Sequence, residues 1–256
     1  IMSLYDYPRY YDLVYGSDWK AEVDFLNGVF KKHVSHKTKR LLEPACGTGR
    51  LMFRLERAGL QVDGIDLSEK AVDYCNKRLL KHGFRASARV ADMTDFQVKS
   101  KYCAAFNTIN SFRHLEQHAQ ARAHLVCMGQ AIRKGGVYIL GLHLSPGIGE
   151  AVEEESWIAR RGQLCVQTSM WLVDRNLEQR YERFHMRYDI WTPTDHRILD
   201  DEFNFRTYTK KQFEEELLGK VREFEIATTY DFSYNLNHPI EVDDRSEDVV
   251  YILKRV

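Results

Sequence analysis

Two glycines and an aspartate are the first residues in this chain whose types and spacing could hold a ligand. Gly47 and Gly49 follow a short apolar run that ends at Glu43, and Asp66 ends the next apolar run. Glycines allow a sharp backbone turn and let a ligand approach without a Cβ in the way. A carboxylate at the carboxyl end of the second strand can hydrogen-bond both hydroxyls of a ribose. The pattern therefore predicts a nucleotide-cofactor site.

The elements around this turn have the periodicity that such a site requires. Leu51, Met52, Leu55 and Ala58 have the spacing of one helix face. Strands are predicted at 39–44, 61–65, 87–91, 103–109 and 136–144, and helices at about 48–58, 68–81 and 116–133. This alternation predicts a parallel sheet with helices on both faces.

Residues 43–50, which read E-P-A-C-G-T-G-R, resemble the glycine motif of class I S-adenosylmethionine (SAM) dependent methyltransferases. A dinucleotide dehydrogenase would carry a third glycine three residues after Gly49, where this chain has Met52. Ala45 stands where many members of the family have glycine, and alanine still permits a close approach. Segments 91–93, 104–111 and 134–140 resemble the later motifs of the family, in the same order.

The resemblance implies which residues would contact the cofactor. Asp92 and Met93 would bracket the adenine, and Asn110 would lie beside the sulfonium. Tyr11 and Trp19 would belong to an amino-terminal lid over the methionine end, where aromatic rings suit the sulfonium cation. The expected cofactor-binding residues are Tyr11, Trp19, Glu43, Ala45, Gly47, Asp66, Leu67, Asp92, Met93 and Asn110.

The acceptor side is less well marked in the sequence. His114 lies just past the fourth strand, where the resemblance would place the acceptor atom, and histidine titrates near neutrality, so His114 is the first candidate for a general base. The alternative is a helix-entry histidine that faces solvent or the core. His143, at the end of the fifth strand, is a second candidate. The expected acceptor-pocket residues are His143, Trp157, Trp171, Arg187 and Tyr188, although the last four could instead fill the core of their own sheet.

Beyond Pro146 the hydrophobic period changes to two, most clearly over residues 164–173 and 184–190. Period two indicates antiparallel strands, so we expect three or four of them between 152 and 207, lying over the carboxyl edge of the main sheet as a cap. Thr209 and Gln212 then form the capping box of a helix. Strands near 222–230 and 248–254 would close the main sheet as an antiparallel hairpin, and the acidic run 241–248 between them is interpreted as a solvated loop.

The predicted fold is α/β: a Rossmann-like seven-stranded sheet, mostly parallel with the last strand antiparallel, and an inserted antiparallel β-sheet cap. The expected organisation is an amino-terminal lid or helical segment (1–37), a SAM-binding core (38–151), the cap (152–207) and the carboxyl-terminal part of the core (208–256).

The amino-acid composition indicates which binding partners and which cellular compartment to expect. The 37 basic and 37 acidic residues cancel, which favours a small or neutral substrate over nucleic acid. Five cysteines without a C-x-x-C pair suggest neither a disulfide framework nor a zinc site, and we expect no bound metal. There is no membrane-length apolar run and no signal-peptide pattern, so we expect a soluble cytoplasmic protein. The oligomeric state is not indicated.

The sequence predicts a SAM-dependent methyltransferase that acts on nitrogen or oxygen of a small-molecule acceptor. The resemblance is strongest to members with an antiparallel cap, among them N-methyltransferases of amino sugars and glycine-like amines. Two alternatives stay open. A basic rim around the pocket would support a protein or RNA methyltransferase, and an obstructed acceptor channel would favour a protein that binds SAM or S-adenosylhomocysteine (SAH) without transferring a methyl group.

Overall fold

A computed structural model describes residues 4–17, 19–146 and 154–256, and in these ranges the chain forms one seven-stranded and one four-stranded sheet. The strands are β1 (Arg40–Pro44), β2 (Gln61–Asp66), β3 (Ala88–Val90), β4 (Tyr102–Asn107), β5 (Ile132–His143), β6 (Glu154–Arg161), β7 (Leu164–Asn176), β8 (Tyr181–Trp191), β9 (His196–Arg206), β10 (Phe224–Tyr230) and β11 (Asp248–Arg255).

The main sheet has the order β3-β2-β1-β4-β5-β11-β10. Strands β1 to β5 pair in parallel, whereas β11 is antiparallel to both of its neighbours. This confirms the predicted seven-stranded sheet with its antiparallel hairpin. Strand order reverses beside β1, and the carboxyl ends of β1 and β4 meet there, which is where open α/β sheets bind ligands.

Helices cover both faces of the main sheet. The α-helices are α1 (Pro8–Tyr15), α2 (Lys20–His33), α3 (Arg50–Arg57), α4 (Glu69–Lys81) and α5 (His118–Ala131), and a π-helix spans Gln212–Leu217. Neighbouring strand residues point to opposite faces, so Leu41 joins the core under α2, α3 and α4 while Leu42 joins the core under α5 and the π-helix. The helix expected after Thr209 is mainly the short π-helix Gln212–Leu217. Thr209 and Gln212 form the two reciprocal hydrogen bonds of the predicted capping box.

The four-stranded sheet is an antiparallel meander in the order β6-β7-β8-β9 and confirms the predicted cap. One face of it is apolar and packs against α1 and the 3-10 turn Leu4–Asp6. The expected boundary between core and cap, at 151 and 152, lies outside the described residues. Within the described ranges, no helix is both long enough and apolar enough to cross a bilayer.

Candidate active site

The glycine turn leaves β1 in a left-handed backbone conformation. Ala45, Gly47 and Gly49 have φ angles of 53°, 52° and 70°. A Cβ on Gly49 would lie 2.2 Å from the Cys75 sulfur, so only glycine fits at this position. Ala45 has a side chain despite its positive φ angle, which is a strained backbone conformation for a residue other than glycine. The turn therefore brings backbone rather than side chains to the crevice between β1 and β2.

Asp66 closes the other side of this crevice. Its carboxylate accepts hydrogen bonds from the backbone N–H of Gly47 at 2.7 Å and of Ser68 at 2.8 Å. Burial raises the pKa of Asp66 more than these amide hydrogen bonds lower it. Leu67, next to it, is 71% exposed. The carboxylate is thus fixed at the end of β2 beside the glycine turn, in the place that the spacing predicted.

The amino-terminal segment lies over the glycine turn. A Cβ on Gly47 would be 3.4 Å from the Tyr11 ring, and the rings of Tyr5 and Tyr11 are 5.4 Å apart. Burial raises the pKa of Tyr5 to about 12, and the charge of Asp66 adds to the shift. Trp19 is placed elsewhere: its ring packs on the core under α2, with the Arg54 guanidinium 4.0 Å from the ring centroid.

Asp12 holds this segment in place. The residue is 2% exposed, and its carboxylate is paired with Arg78 on α4 and with Arg161 on β6 at 3.0 Å. The Thr48 hydroxyl of the glycine turn donates to the same carboxylate at 3.2 Å. Burial alone would raise the pKa of Asp12, but the two guanidinium groups outweigh it and the pKa is lowered. One carboxylate thus joins the amino-terminal helix, the core and the cap.

Two buried polar atoms at the end of β1 and β4 lack partners among the described residues. They are Oε2 of Glu43 and Oδ1 of Asn107. Burial raises the pKa of Glu43 well above its usual range, against the opposing effect of Arg50, which is itself paired with Glu22. Unsatisfied acceptors of this kind are costly unless a ligand donates to them. Together they suit a ligand ammonium group.

The segment predicted to bracket the adenine follows β3. Asp92 is exposed, and its carboxylate accepts from the backbone N–H of Thr94 at 2.7 Å. The Met93 carbonyl accepts from Nδ1 of the buried His124 at 2.9 Å, so Nε2 of that ring accepts from the Tyr138 hydroxyl. Burial lowers the pKa of His124 to about 4, which keeps the ring neutral in this role. The sequence did not single out His124.

A cavity of about 440 Å³ joins the glycine turn to the inner face of the cap. Glu43, Ala45 and Asn110 line its core side, and Trp157 and Tyr188 line its cap side. Asp66, Leu67, Asp92 and Met93 lie along the same edge of the main sheet but outside this cavity. The cavity therefore covers the methionine and acceptor end of the predicted site rather than its adenosine end.

His114 lies in this cavity among aromatic side chains of the cap. Its ring centroid is 4.8 Å from that of Phe205 and 5.6 Å from that of Phe203. Burial, with a smaller contribution from the charge of Arg113, lowers the pKa of His114 to about 4. The ring is open to the cavity, and its low pKa means that it binds a proton only weakly, so it is a weak base.

His143 has the geometry of an oriented base. Its Nδ1 is 2.7 Å from a carboxylate oxygen of Asp248, the residue opposite it on β11. Since a carboxylate accepts, Nδ1 carries the proton and Nε2 is left as the basic nitrogen. The Asn110 side chain accepts from the backbone N–H of His143 at 3.0 Å and thereby ties the ends of β4 and β5 together. All three residues line the cavity.

The cap places two of its four predicted pocket residues on the face away from the cavity. Trp157 and Tyr188 lie on the inner face and line the cavity. Trp171 stacks on His185 with 4.4 Å between ring centroids, and Arg187 lies 3.8 Å from the Asp200 carboxylate, both on the opposite face. The structure thus places Trp171 and Arg187 away from the cavity, because consecutive strand residues point to opposite faces and Arg187 directly precedes Tyr188.

The acidic run before β11 also differs from expectation. It was interpreted as a solvated loop, yet Glu247 and Asp248 line the cavity together with Glu155 of β6. The two arginines in the lining are already paired, Arg50 with Glu22 and Arg113 with Glu182. The cavity therefore carries more carboxylates than available cations. The register between β5 and β11, which the sequence does not reveal, brings Asp248 to His143.

Sequence comparison finds methyltransferases. Residues 41–136 match a family model described as "Methyltransferase domain". The chain is 26% identical over 138 residues to the dTDP-3-amino-3,4,6-trideoxy-alpha-D-glucopyranose N,N-dimethyltransferase of Streptomyces venezuelae, covering 53% of this chain and 56% of that one. It is 30% identical over 98 residues to a ubiquinone biosynthesis O-methyltransferase of Aromatoleum aromaticum, covering 38% and 41%. The chain thus spans about half the length of the curated relatives it matches.

Solved structures with the same fold match over nearly the whole chain. A SAM-dependent methyltransferase from Clostridium acetobutylicum has a TM-score of 0.78 at 16% identity, with 96% of each chain covered. DesVI from Streptomyces venezuelae has a TM-score of 0.77 at 18% identity, with 98% of each chain covered. The architecture of core and cap is therefore that of these proteins.

Proposed function

We propose that this chain, which carries a methyltransferase domain with the class I SAM-dependent fold, is an enzyme that transfers a methyl group from SAM to a small molecule bound under the cap. The observation that carries the proposal is the single cavity shared by the end of β1, the ends of β4 and β5, and the inner face of the cap. Methyl transfer needs the donor and the acceptor aligned in a site that excludes water. The core forms one wall of this cavity and the cap forms the other.

The residues at the crevice suit the cofactor. Glu43 and Asn107 offer buried acceptors to the amino group of its methionine part, and Asp66 offers a carboxylate to its ribose. When bound, SAM supplies a methyl group activated by a positive sulfur. We assign cofactor binding to Tyr11, Glu43, Ala45, Gly47, Asp66, Leu67, Asp92, Met93 and Asn110. Trp19, which packs under α2, is left out of this assignment.

The cavity favours an amine as the acceptor. Glu155, Glu247 and Asp248 give its lining a negative charge, and aromatic rings such as Trp157 and Tyr188 attract cations through their faces. An amine is bound most strongly as an ammonium ion but attacks only after losing a proton. The two curated relatives named as N,N-dimethyltransferases of amino sugars fit this chemistry.

The proton acceptor that we assign is His143, oriented by Asp248. The Asp248 carboxylate fixes the tautomer with Nε2 unprotonated and stabilises the charged ring once it has taken the proton. His114, the first candidate from the sequence, has no carboxylate hydrogen-bond partner among the residues that the structure describes. Its pKa is about 4, so it is assigned to the acceptor wall.

The alternatives have less support. A protein or RNA methyltransferase would be favoured by a basic rim, but the charged lining here is mainly acidic. A non-catalytic SAM-binding protein would be favoured by an obstructed acceptor side, but the cavity extends from the glycine turn to the cap.

Two measurements test the proposal. Calorimetry with SAH tests cofactor binding, and transfer of isotopically labelled methyl from SAM to a panel of small amines, amino sugars and phenols tests the reaction. We expect SAH binding and N-methylated products. Absence of SAH binding, or binding without transfer to any compound of the panel, would contradict it.

The assignment of the base is tested separately with His143→Gln, Asp248→Asn and the matched variant His114→Gln. We expect kcat for a protonated amine to fall roughly 100-fold or more in His143→Gln, in line with the usual contribution of general base catalysis. A higher pH should partly restore it by deprotonating the amine in solution. Equal loss in His114→Gln, or no loss in His143→Gln, would show the assignment to be wrong.

A further inference from the structure

Four arginines gather where the cap joins the core. Arg175 is the second-last residue of β7, Arg180 lies in the turn to β8, Arg206 ends β9, and Arg113 follows β4. Here they are called the arginine cluster. Thr207 donates its backbone N–H to the Arg180 carbonyl at 3.0 Å, which fixes the hairpin turn against the end of β9.

The nearby carboxylates do not balance this charge. Glu182, 3% exposed, is shared by Arg113 and by Arg175, whose Nε donates to it at 3.0 Å. Among the described carboxylates, Arg180 is paired only with Glu216, which is half-exposed and 3.7 Å away, and this distance is too long for a hydrogen bond. Arg206 donates to the backbone carbonyl of Glu116 at 2.6 Å, a neutral acceptor, so the charges of the two outer arginines, Arg180 and Arg206, are in excess.

Several guanidinium N–H groups in the cluster are buried without a partner among the described residues. They are Nε and Nη2 of Arg180, Nη2 of Arg175 and Nε of Arg206. A buried charged donor without an acceptor is among the costlier defects in a folded protein. Burial together with the charge of Arg206 lowers the pKa of Arg180, which is the mark of cations held near one another.

The two outer arginines pack near the same aromatic ring. The Arg180 and Arg206 guanidinium groups lie 5.2 Å and 5.8 Å from the ring centroid of Tyr208, which is fully buried. Arg180 is also one of four non-glycine residues in the described chain with a positive φ, at 65°. Strained backbone of this type persists where the surroundings enforce it. The positive potential extends to α5, since burial and the charges of Arg206 and Arg180 lower the pKa of His118.

We propose that the arginine cluster is a binding site for a phosphate or diphosphate group, held chiefly by Arg180 and Arg206. Guanidinium groups match phosphate oxygens in paired hydrogen bonds, and one such anion would balance the excess charge of the two outer arginines. The group could be free phosphate or part of a larger molecule that continues towards the cavity, which Arg113 reaches from the cluster.

The test is calorimetry with inorganic pyrophosphate at constant ionic strength, on the wild type and on Arg180→Gln and Arg206→Gln. Arg197→Gln is the matched control, because Arg197 is an exposed arginine at the other end of β9, paired with Asp195 at 3.2 Å. We expect each cluster variant to lose roughly tenfold or more in affinity and the control to lose none. Absence of pyrophosphate binding, or equal affinity in all four proteins, overturns the proposal.

Thermal unfolding gives an independent readout. Arg180→Gln removes a charge that is in excess, so without anion it should melt at or above the wild-type temperature. Pyrophosphate should raise the melting temperature of the wild type and of Arg197→Gln more than that of Arg180→Gln. A variant that melts lower and still responds to pyrophosphate would contradict the site. Uridine diphosphate separates the two sources of phosphate: tighter binding than pyrophosphate indicates a larger ligand, and equal binding indicates free phosphate. Neither measurement depends on methyl transfer.

Discussion

The glycine turn and the cap form opposite walls of one cavity, yet the sequence describes them very differently. At the turn, the spacing of Gly47, Gly49 and Asp66 predicts which groups meet, because parallel strands bring their carboxyl ends to one edge of the sheet. In the cap, the period of two predicts the strands but not which face is turned inward. Residue spacing thus locates a site on a parallel sheet, whereas a site on an antiparallel cap also depends on tertiary packing.

Asp12 links these two regions, and its loss should have the largest effect. In Asp12→Ala the partly buried guanidinium of Arg78 loses its carboxylate partner, as does Arg161, so we expect the free energy of unfolding to fall by about 3 kcal/mol. Urea denaturation would measure this. The control is Asp24→Ala, since Asp24 pairs with Lys20 on the exposed face of α2 and should contribute less than about 1 kcal/mol. Equal losses would mean that the two walls are held together elsewhere.

The turn itself is tested by Asp66→Ala. Removing a carboxylate that would bind the ribose hydroxyls should weaken SAH binding by about 10- to 100-fold, measured by calorimetry. Asp66 also accepts from the Gly47 and Ser68 amides, so Asp66→Asn is included to keep the shape of the turn while removing the charge. Asp73→Ala, at an exposed position of α4, should leave the affinity unchanged. Unchanged affinity in both Asp66 variants would refute the cofactor assignment.

These two regions also explain how far prediction from sequence reached. The seven-stranded sheet, the cap and the methyltransferase resemblance were predicted correctly, because local periodicity and four ordered motifs determine them. The pairing of His143 with Asp248 was not predicted, because it depends on the register between β5 and β11. The Asp12 network was missed for the same reason: its partners lie on α4 and β6, far away in the sequence.

The cap offers a direct comparison of its two faces. Trp157 lines the cavity, whereas Trp171 stacks on His185 on the other face. We expect Trp157→Ala to raise KM for the acceptor roughly tenfold through loss of an aromatic wall. Trp171→Ala should change KM by no more than about twofold, as for a surface substitution. Steady-state kinetics would measure both. A larger effect from Trp171 would restore the original prediction and place the acceptor on the outer face.

The smallest effect is expected at the turn, where Ala45 has a φ angle of 53°. A non-glycine residue costs about 1–3 kcal/mol in this region, and glycine costs about 0.5–1 kcal/mol more backbone entropy on folding. Ala45→Gly should therefore stabilise the fold by roughly 0.5–1 kcal/mol, seen as a rise in melting temperature, with SAH affinity preserved. Ala58→Gly is the control: Ala58 has a φ angle of −82°, so glycine relieves nothing there and should destabilise the fold. If both variants lose stability alike, the left-handed conformation of Ala45 is not strained, and its backbone fits the cofactor turn as well as glycine would.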